Sequence, residues 1–117
     1  MRVRIQMFVF LLIAASFACG HGSTDGRLVD AAAEGDAATV QKLLDGGANV
    51  DAHARDDWTP LTSAAREGKL DVVKLLLKRG ANVNAKEGGG HTAVFWAKKY
   101  QHHDVEQALI DAGGRDL

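Results

Sequence analysis

The chain repeats itself every 33 residues, and no other feature restricts its fold as much. Gly47-Ala48-Asn49-Val50-Asp51-Ala52 returns as Gly80-Ala81-Asn82-Val83-Asn84-Ala85, and Glu34-Gly35 returns as Glu67-Gly68. Single positions keep the same step: Leu28, Leu61 and Val94; Leu43, Leu76 and Leu109; Leu44, Leu77 and Ile110; Gly47, Gly80 and Gly113. A unit this short cannot enclose its own apolar face. Neighbouring units must stack to bury it, so the fold is a solenoid.

The middle unit shows what is stacked. Thr59 is a good N-cap, and Pro60 suits the first helical position, where its missing N–H costs nothing. Leu61, Ala64 and Ala65 form one apolar stripe at helical spacing. Gly68 ends that helix. A second helix follows with Val72, Val73, Leu76 and Leu77 as its stripe, and Gly80 stands where a left-handed C-terminal cap belongs. Helices of eight to ten residues fall below the roughly 12–15 an isolated helix needs, so stacking must supply their stability. Hydrophobic residues make up 46% of the chain but aromatics only 6%. The core is therefore one of small side chains in close approach.

Thr59-Pro60-Leu61-Thr62-Ser63-Ala64-Ala65-Arg66-Glu67-Gly68 resembles the ankyrin segment TPLHxAAxxGH, and Val72 to Ala85 resembles the family's second helix and loop. The resemblance covers about residues 24–117. It implies an all-α ankyrin-repeat solenoid of three helix-turn-helix repeats with short β-hairpin-like loops. The domain is placed at 26–117, with repeats at about 26–55, 56–88 and 89–117. Three repeats are the usual minimum. The end units depart from the pattern. Gly26-Arg27 stands where Thr-Pro is expected, with Asp25 or Gly26 available as cap. In the third unit Ala93 replaces Pro, Gln101 replaces the inter-helix glycine, and Phe95 and Trp96 are large enough to cover an end with no further neighbour. Val105, Leu109 and Ile110 are expected to face inward.

Residues 1–18 read as an export signal. Arg2 and Arg4 precede an unbroken apolar run from Met7 to Ala15, too short to span a bilayer, and Ser16-Phe17-Ala18 offers a small-x-small cleavage site. Ser16-Phe17-Ala18-Cys19 also resembles a permissive bacterial lipobox, although Leu is usual where Ser16 stands and Phe17 is bulky. The expectation is an exported protein, periplasmic or anchored as a lipoprotein through Cys19, with free secretion as the alternative and residues 19–25 as a short linker. Cleavage removes Arg2 and Arg4 and no acid, taking the net charge from −1 to −3. Membrane contact is then expected only through a lipid on Cys19. A single cysteine excludes an intrachain disulfide and a cysteine-based zinc cluster.

Enzyme chemistry finds little support. Ser63 lies within a helix pattern and its repeat equivalents are Asp30 and Trp96, so no relay is suggested. Gly88-Gly89-Gly90 is not followed by Lys-Ser/Thr, as a phosphate-binding loop requires. The balance of 14 Lys and Arg against 15 Asp and Glu argues against nucleic acid. His53, His91, His102 and His103 do not have the convergent spacing of a metal site, and adjacent His102 and His103 diverge on a helix start. Neither a metal nor another cofactor is expected.

The resemblance implies instead a binding module that meets another protein along a concave face, as a monomer. Carried over position by position, that face includes the loop-tip residues Arg55, Asp56, Trp58 and His91. The first helices add Arg66, Glu67, Lys99 and Tyr100. Trp58 is the most informative, because Trp, Tyr and Arg dominate binding hot spots. It serves either as an exposed anchor or as local packing over its own hairpin. Asp57 stands where Gly is usual and must tolerate a left-handed backbone. An inhibitor or immunity role, a protective scaffold for a periplasmic enzyme of the kind proposed in oxidative-stress defence, and a metal or small-ligand binder remain as alternatives.

Overall fold

The structure is a computed structural model, described over residues 24–116. The expected leader over 1–18, the cleavage near Ala18, the lipid site Cys19 and most of the linker lie outside the described residues. Within them the chain forms six α-helices: α1 (Thr24–Glu34), α2 (Ala37–Asp45), α3 (Pro60–Glu67), α4 (Leu70–Lys78), α5 (Ala93–Lys99) and α6 (His103–Asp111). A short 3-10 turn spans Arg55–Asp57. The first helices α1, α3 and α5 pack side by side as an inner layer, and α2, α4 and α6 form an outer one.

Local chemistry sets these boundaries. Thr59 and Thr62 make a reciprocal capping box at α3. The Thr59 hydroxyl accepts the Thr62 N–H at 3.1 Å, and the Thr62 hydroxyl accepts the Thr59 N–H at 2.9 Å, with Pro60 at the first turn. Asp36 caps α2 through the Thr39 hydroxyl and N–H, and these hydrogen bonds hold its carboxyl below the usual carboxylate range. At α1 the structure corrects the sequence reading. Asp25 and Gly26 lie inside the helix rather than capping it, and Asp25 instead offers its charge to the positive end of the helix dipole.

Each second helix ends the same way. Gly47, Gly80 and Gly113 are left-handed, with φ of 100°, 88° and 96°. Their N–H groups bond to Leu44, Leu77 and Ile110, and the following N–H groups reach back to Leu43, Leu76 and Leu109. That pair of bonds is the Schellman motif, repeated three times. Gln101 keeps the left-handed backbone of the glycine it replaces, at φ 61°. A non-glycine residue there is strained by about 1 kcal/mol. Gln101→Gly is expected to stabilise the domain by about that amount, raising Tm by about 4–8 °C in a thermal melt. A lower Tm would show that the Gln101 side chain holds something the strain argument leaves out.

The core is a column of small and branched side chains. Leu28, Val40, Leu61, Val72, Val73, Leu76, Val105 and Leu109 are buried, with Ala32, Ala64, Ala65 and Ala97 where the inner helices approach. Ile110, expected to face inward, is 45% exposed. Its repeat equivalents Leu44 and Leu77 are covered within the stack, whereas Ile110 lies on the outer helix of the third described repeat.

Side chains also tie each unit to the next. The Asp51 carboxylate accepts the Asn82 N–H at 2.7 Å, and one repeat later the Asn84 side-chain oxygen accepts the Arg115 N–H at 2.9 Å. Arg79 pairs with Asp45 across repeats one and two. The loops are hairpin-like without forming strands. Lys86 and Thr92 make one isolated antiparallel bridge, and the Ala54 N–H donates to the Trp58 carbonyl at 2.9 Å.

Candidate protein-binding surface

The inner layer and the loop tips enclose a concave face, and the sequence-derived positions collect there in two joined zones. The first is a groove of about 810 Å³ between α1, α3 and the first loop. Arg27, Asp30, Arg55, Asp56, Arg66 and Glu67 are among its lining residues, with Trp58 at its edge. The second is a cluster of rings over repeats two and three, and Trp58 and Arg66 belong to both.

Trp58 packs across repeats rather than standing free. It is half-buried and leans on Trp96 of the next repeat, ring centroids 5.2 Å apart. Trp96 also meets Phe95 edge-on at 5.3 Å, and it stacks with Tyr100 at 6.1 Å and 13°. His91 stacks on Phe95 at 4.0 Å. This corrects the end-cap reading of Trp96. Trp96 turns back toward repeat two, because it occupies the inner-face position that Ser63 fills one repeat earlier, while the ring contacts of Phe95 stay within repeat three. Sequence reasoning left both out of the binding face. The signal was present as a Ser-to-Trp change at an inner-layer position.

Two cations complete the cluster. The Arg66 guanidinium carbon lies 5.6 Å from the Trp58 ring, 5.9 Å from Trp96 and 5.8 Å from Tyr100. The Lys99 ammonium lies 5.2 Å from Trp96 and 6.0 Å from Tyr100. All fall within cation–π reach of about 6 Å. Arg66 also meets Glu67 at 3.5 Å, with both side chains nearly half exposed. Such a pair contributes little. The Trp96 indole N–H is buried with no acceptor among the described residues, a state that costs about 1–3 kcal/mol.

The second loop is held by a residue that the repeat pattern does not reveal. Glu87 is 8% exposed and accepts from the Gly89 N–H at 2.8 Å, the His91 N–H at 3.0 Å and the His91 ring nitrogen at 2.9 Å. Burial pushes its carboxyl up, but these hydrogen bonds and the His91 charge outweigh burial and hold it below the ordinary value of 4.5. Its equivalent in the previous loop is Ala54, so periodicity offered no clue. The folded value lies below the unfolded one. The stabilisation is therefore present above about pH 4.5 and is lost as pH falls through the folded value. Glu87→Gln is expected to cost about 1–2 kcal/mol at pH 7 and to flatten the acid limb of a stability-against-pH curve. An unchanged acid limb would assign that dependence to other carboxylates.

The two loop tips touch. The Asp56 carbonyl accepts the Gly88 N–H at 2.7 Å. Asp56 and Asp57 both adopt positive φ, 58° and 62°, as Asp57 was expected to from its Gly-like position. Among the described residues no three His, Cys, Asp or Glu side chains converge as metal ligands. The His91 ring pairs with Glu87, and the His102 ring nitrogen meets the Arg66 carbonyl at 3.1 Å. No helix of the described residues is long and apolar enough to cross a membrane.

A family model for ankyrin repeats, in three copies, matches residues 28–117. The chain belongs to the ankyrin-repeat family. Ankyrin repeats are in general protein–protein interaction modules, and the family is typically non-enzymatic. No curated protein matches the chain. The ankyrin fold therefore accounts for the two layers and the concave face, while the ring cluster is a property of this chain's own residues.

Proposed function

We propose that this ankyrin protein is a non-enzymatic binding module of the bacterial envelope, gripping one partner protein on its concave face. One observation carries the reading. Trp58, Arg66, Glu67, His91, Lys99 and Tyr100, picked out separately along the sequence, come together around a single ring cluster beside the groove. Aromatic and Arg side chains gathered in one place have the composition of a binding hot spot. The mechanism is stoichiometric recognition by a preformed surface, with no turnover. An exported location rests on the basic start, the short apolar run and the small-x-small site of residues 1–18. A lipid anchor rests on Cys19. Mass spectrometry of the mature N-terminus tests both, and an unmodified Cys19 or a start beyond it removes the anchor.

The binding reading is tested by photocrosslinking in cells. A photoreactive residue at Arg55 or Tyr100, on the concave face, should trap a discrete protein adduct. The same residue at Lys74, on outer helix α4, should not. Equal trapping from both faces, or no discrete adduct from either concave position, overturns the proposal. Inhibitor and protective-scaffold roles both follow from the same surface, and the trapped partner's identity separates them.

A further inference from the structure

We infer that the ring cluster recognises a carboxylate-bearing segment of the partner protein, held by Arg66 and Lys99. The inference rests on the protein-binding reading above and adds the chemistry of what is bound. It starts from where the cations of the inner face stand. Lys98 is paired with Asp116 at 3.4 Å, and on the outer face Arg79 is paired with Asp45. Arg66 has only the loose, exposed contact to Glu67, and Lys99 meets no carboxylate within 4.0 Å among the described residues.

Both cations rest on aromatic faces instead. The rings of Trp58, Trp96 and Tyr100 surround Arg66, and Lys99 shares Trp96 and Tyr100 with it. A guanidinium held against rings is sheltered from water on its flat faces and keeps its N–H edge for a planar acceptor. A carboxylate matches that edge with two parallel hydrogen bonds. The side chain is already ordered, so little further rotamer freedom is lost on binding. An incoming carboxylate has only the weak Glu67 contact to displace.

The adjoining groove limits where the acid sits. Arg27 and Arg55 line it, but so do Asp30 and Asp56. The groove is therefore balanced, and the cations held over the rings are Arg66 and Lys99. The occupant is an extended segment with one or two Asp or Glu side chains at the cluster, its uncharged part running along the groove.

The chain's only two tryptophans, Trp58 and Trp96, both sit in the cluster, so intrinsic fluorescence reports its occupancy directly. The probes are a blocked Gly-Glu-Gly-Glu-Gly peptide, its Gln counterpart, and vesicles containing phosphatidylglycerol. The Glu peptide should shift the tryptophan emission saturably and bind at least about tenfold more tightly than the Gln peptide. The double variant R66Q/K99Q should lose at least about tenfold in that affinity while its thermal melt keeps a single transition. Should that double variant not fold, K99Q alone carries the comparison, because Lys99 is exposed and leaves the Arg66 contacts intact. Equal response to the Gln peptide, undiminished binding by a folded variant, or a response to vesicles alone overturns the inference. A silent Glu peptide beside a discrete Tyr100 crosslink overturns the acid chemistry and leaves the protein-binding reading standing.

Discussion

Leu76→Ala is expected to remove about 2–5 kcal/mol of stability. Leu76 lies in α4 at the centre of the stack, and its side chain is fully buried. Truncation removes apolar contacts and leaves a cavity that rigid neighbours fill only in part. A domain this size has roughly 5–14 kcal/mol in all. Leu76 belongs to the middle of the three matched repeats, so its loss loosens the packing on both sides at once. At about 4–8 °C per kcal/mol, Tm should drop by about 10 °C or more in a single transition. Ile110→Ala is the matched comparison. Ile110 sits on the last helix at 45% exposure, and its loss should cost under about 1 kcal/mol. Equal costs at the two sites would mean that the stack does not draw its stability from its centre.

Gly68→Ala should be nearly as damaging, for a different reason. Gly68 has φ of +73°, where a Cβ meets its own backbone, at about 1–2 kcal/mol. A Cβ there would also stand 2.6 Å from the His102 ring. That ring is fixed by its contact to the Arg66 carbonyl, so it cannot retreat freely. The combined cost is expected at about 2–4 kcal/mol in denaturant unfolding. A double-mutant cycle separates the two causes. In a His102→Ala background the clash disappears and only the backbone strain remains, so the two changes should couple by about 1 kcal/mol. Strict additivity would show that the ring is not the obstacle. The same arrangement occurs one repeat earlier, where the Lys69 side chain passes over Gly35 with φ +79°. The more flexible lysine makes Gly35→Ala the milder change.

Most of the helix boundaries among the described residues were legible in the sequence, because repetition states each local rule more than once. Gly47, Gly80 and Gly113 announce the same helix end three times, and Thr59-Pro60 announces a helix start. Gln101 was legible as a stand-in for glycine only by comparison with Gly68. The surface was less legible because its residues do not repeat. Ser63 and Trp96 occupy one position with unrelated side chains, and nothing in a linear pattern says which way the larger one leans. Glu87 was missed for the same reason, since its role depends on a three-glycine loop that folds back over it. The inward reading of Ile110 failed because the repeat pattern carries the apolar type of Leu44 and Leu77 to a position that is 45% exposed in the third repeat.

The contact between Trp58 and Trp96 has a consequence for how freely this surface can be altered. In a simple stack the residues offered to solvent are separate from those that join neighbouring units, and each set can change without the other. Here one pair of rings belongs to both. A substitution that changes the surface at Trp58 also loosens the contact between its loop and the third repeat, and a repair to that contact alters what the surface presents. Variation at this end of the molecule is therefore restricted to paired changes, with Trp58 and Trp96 moving together. Only the part of the groove formed by Arg27, Asp30 and Arg55 escapes that coupling, since Trp58 and Arg66, which also line it, take part in the ring contacts.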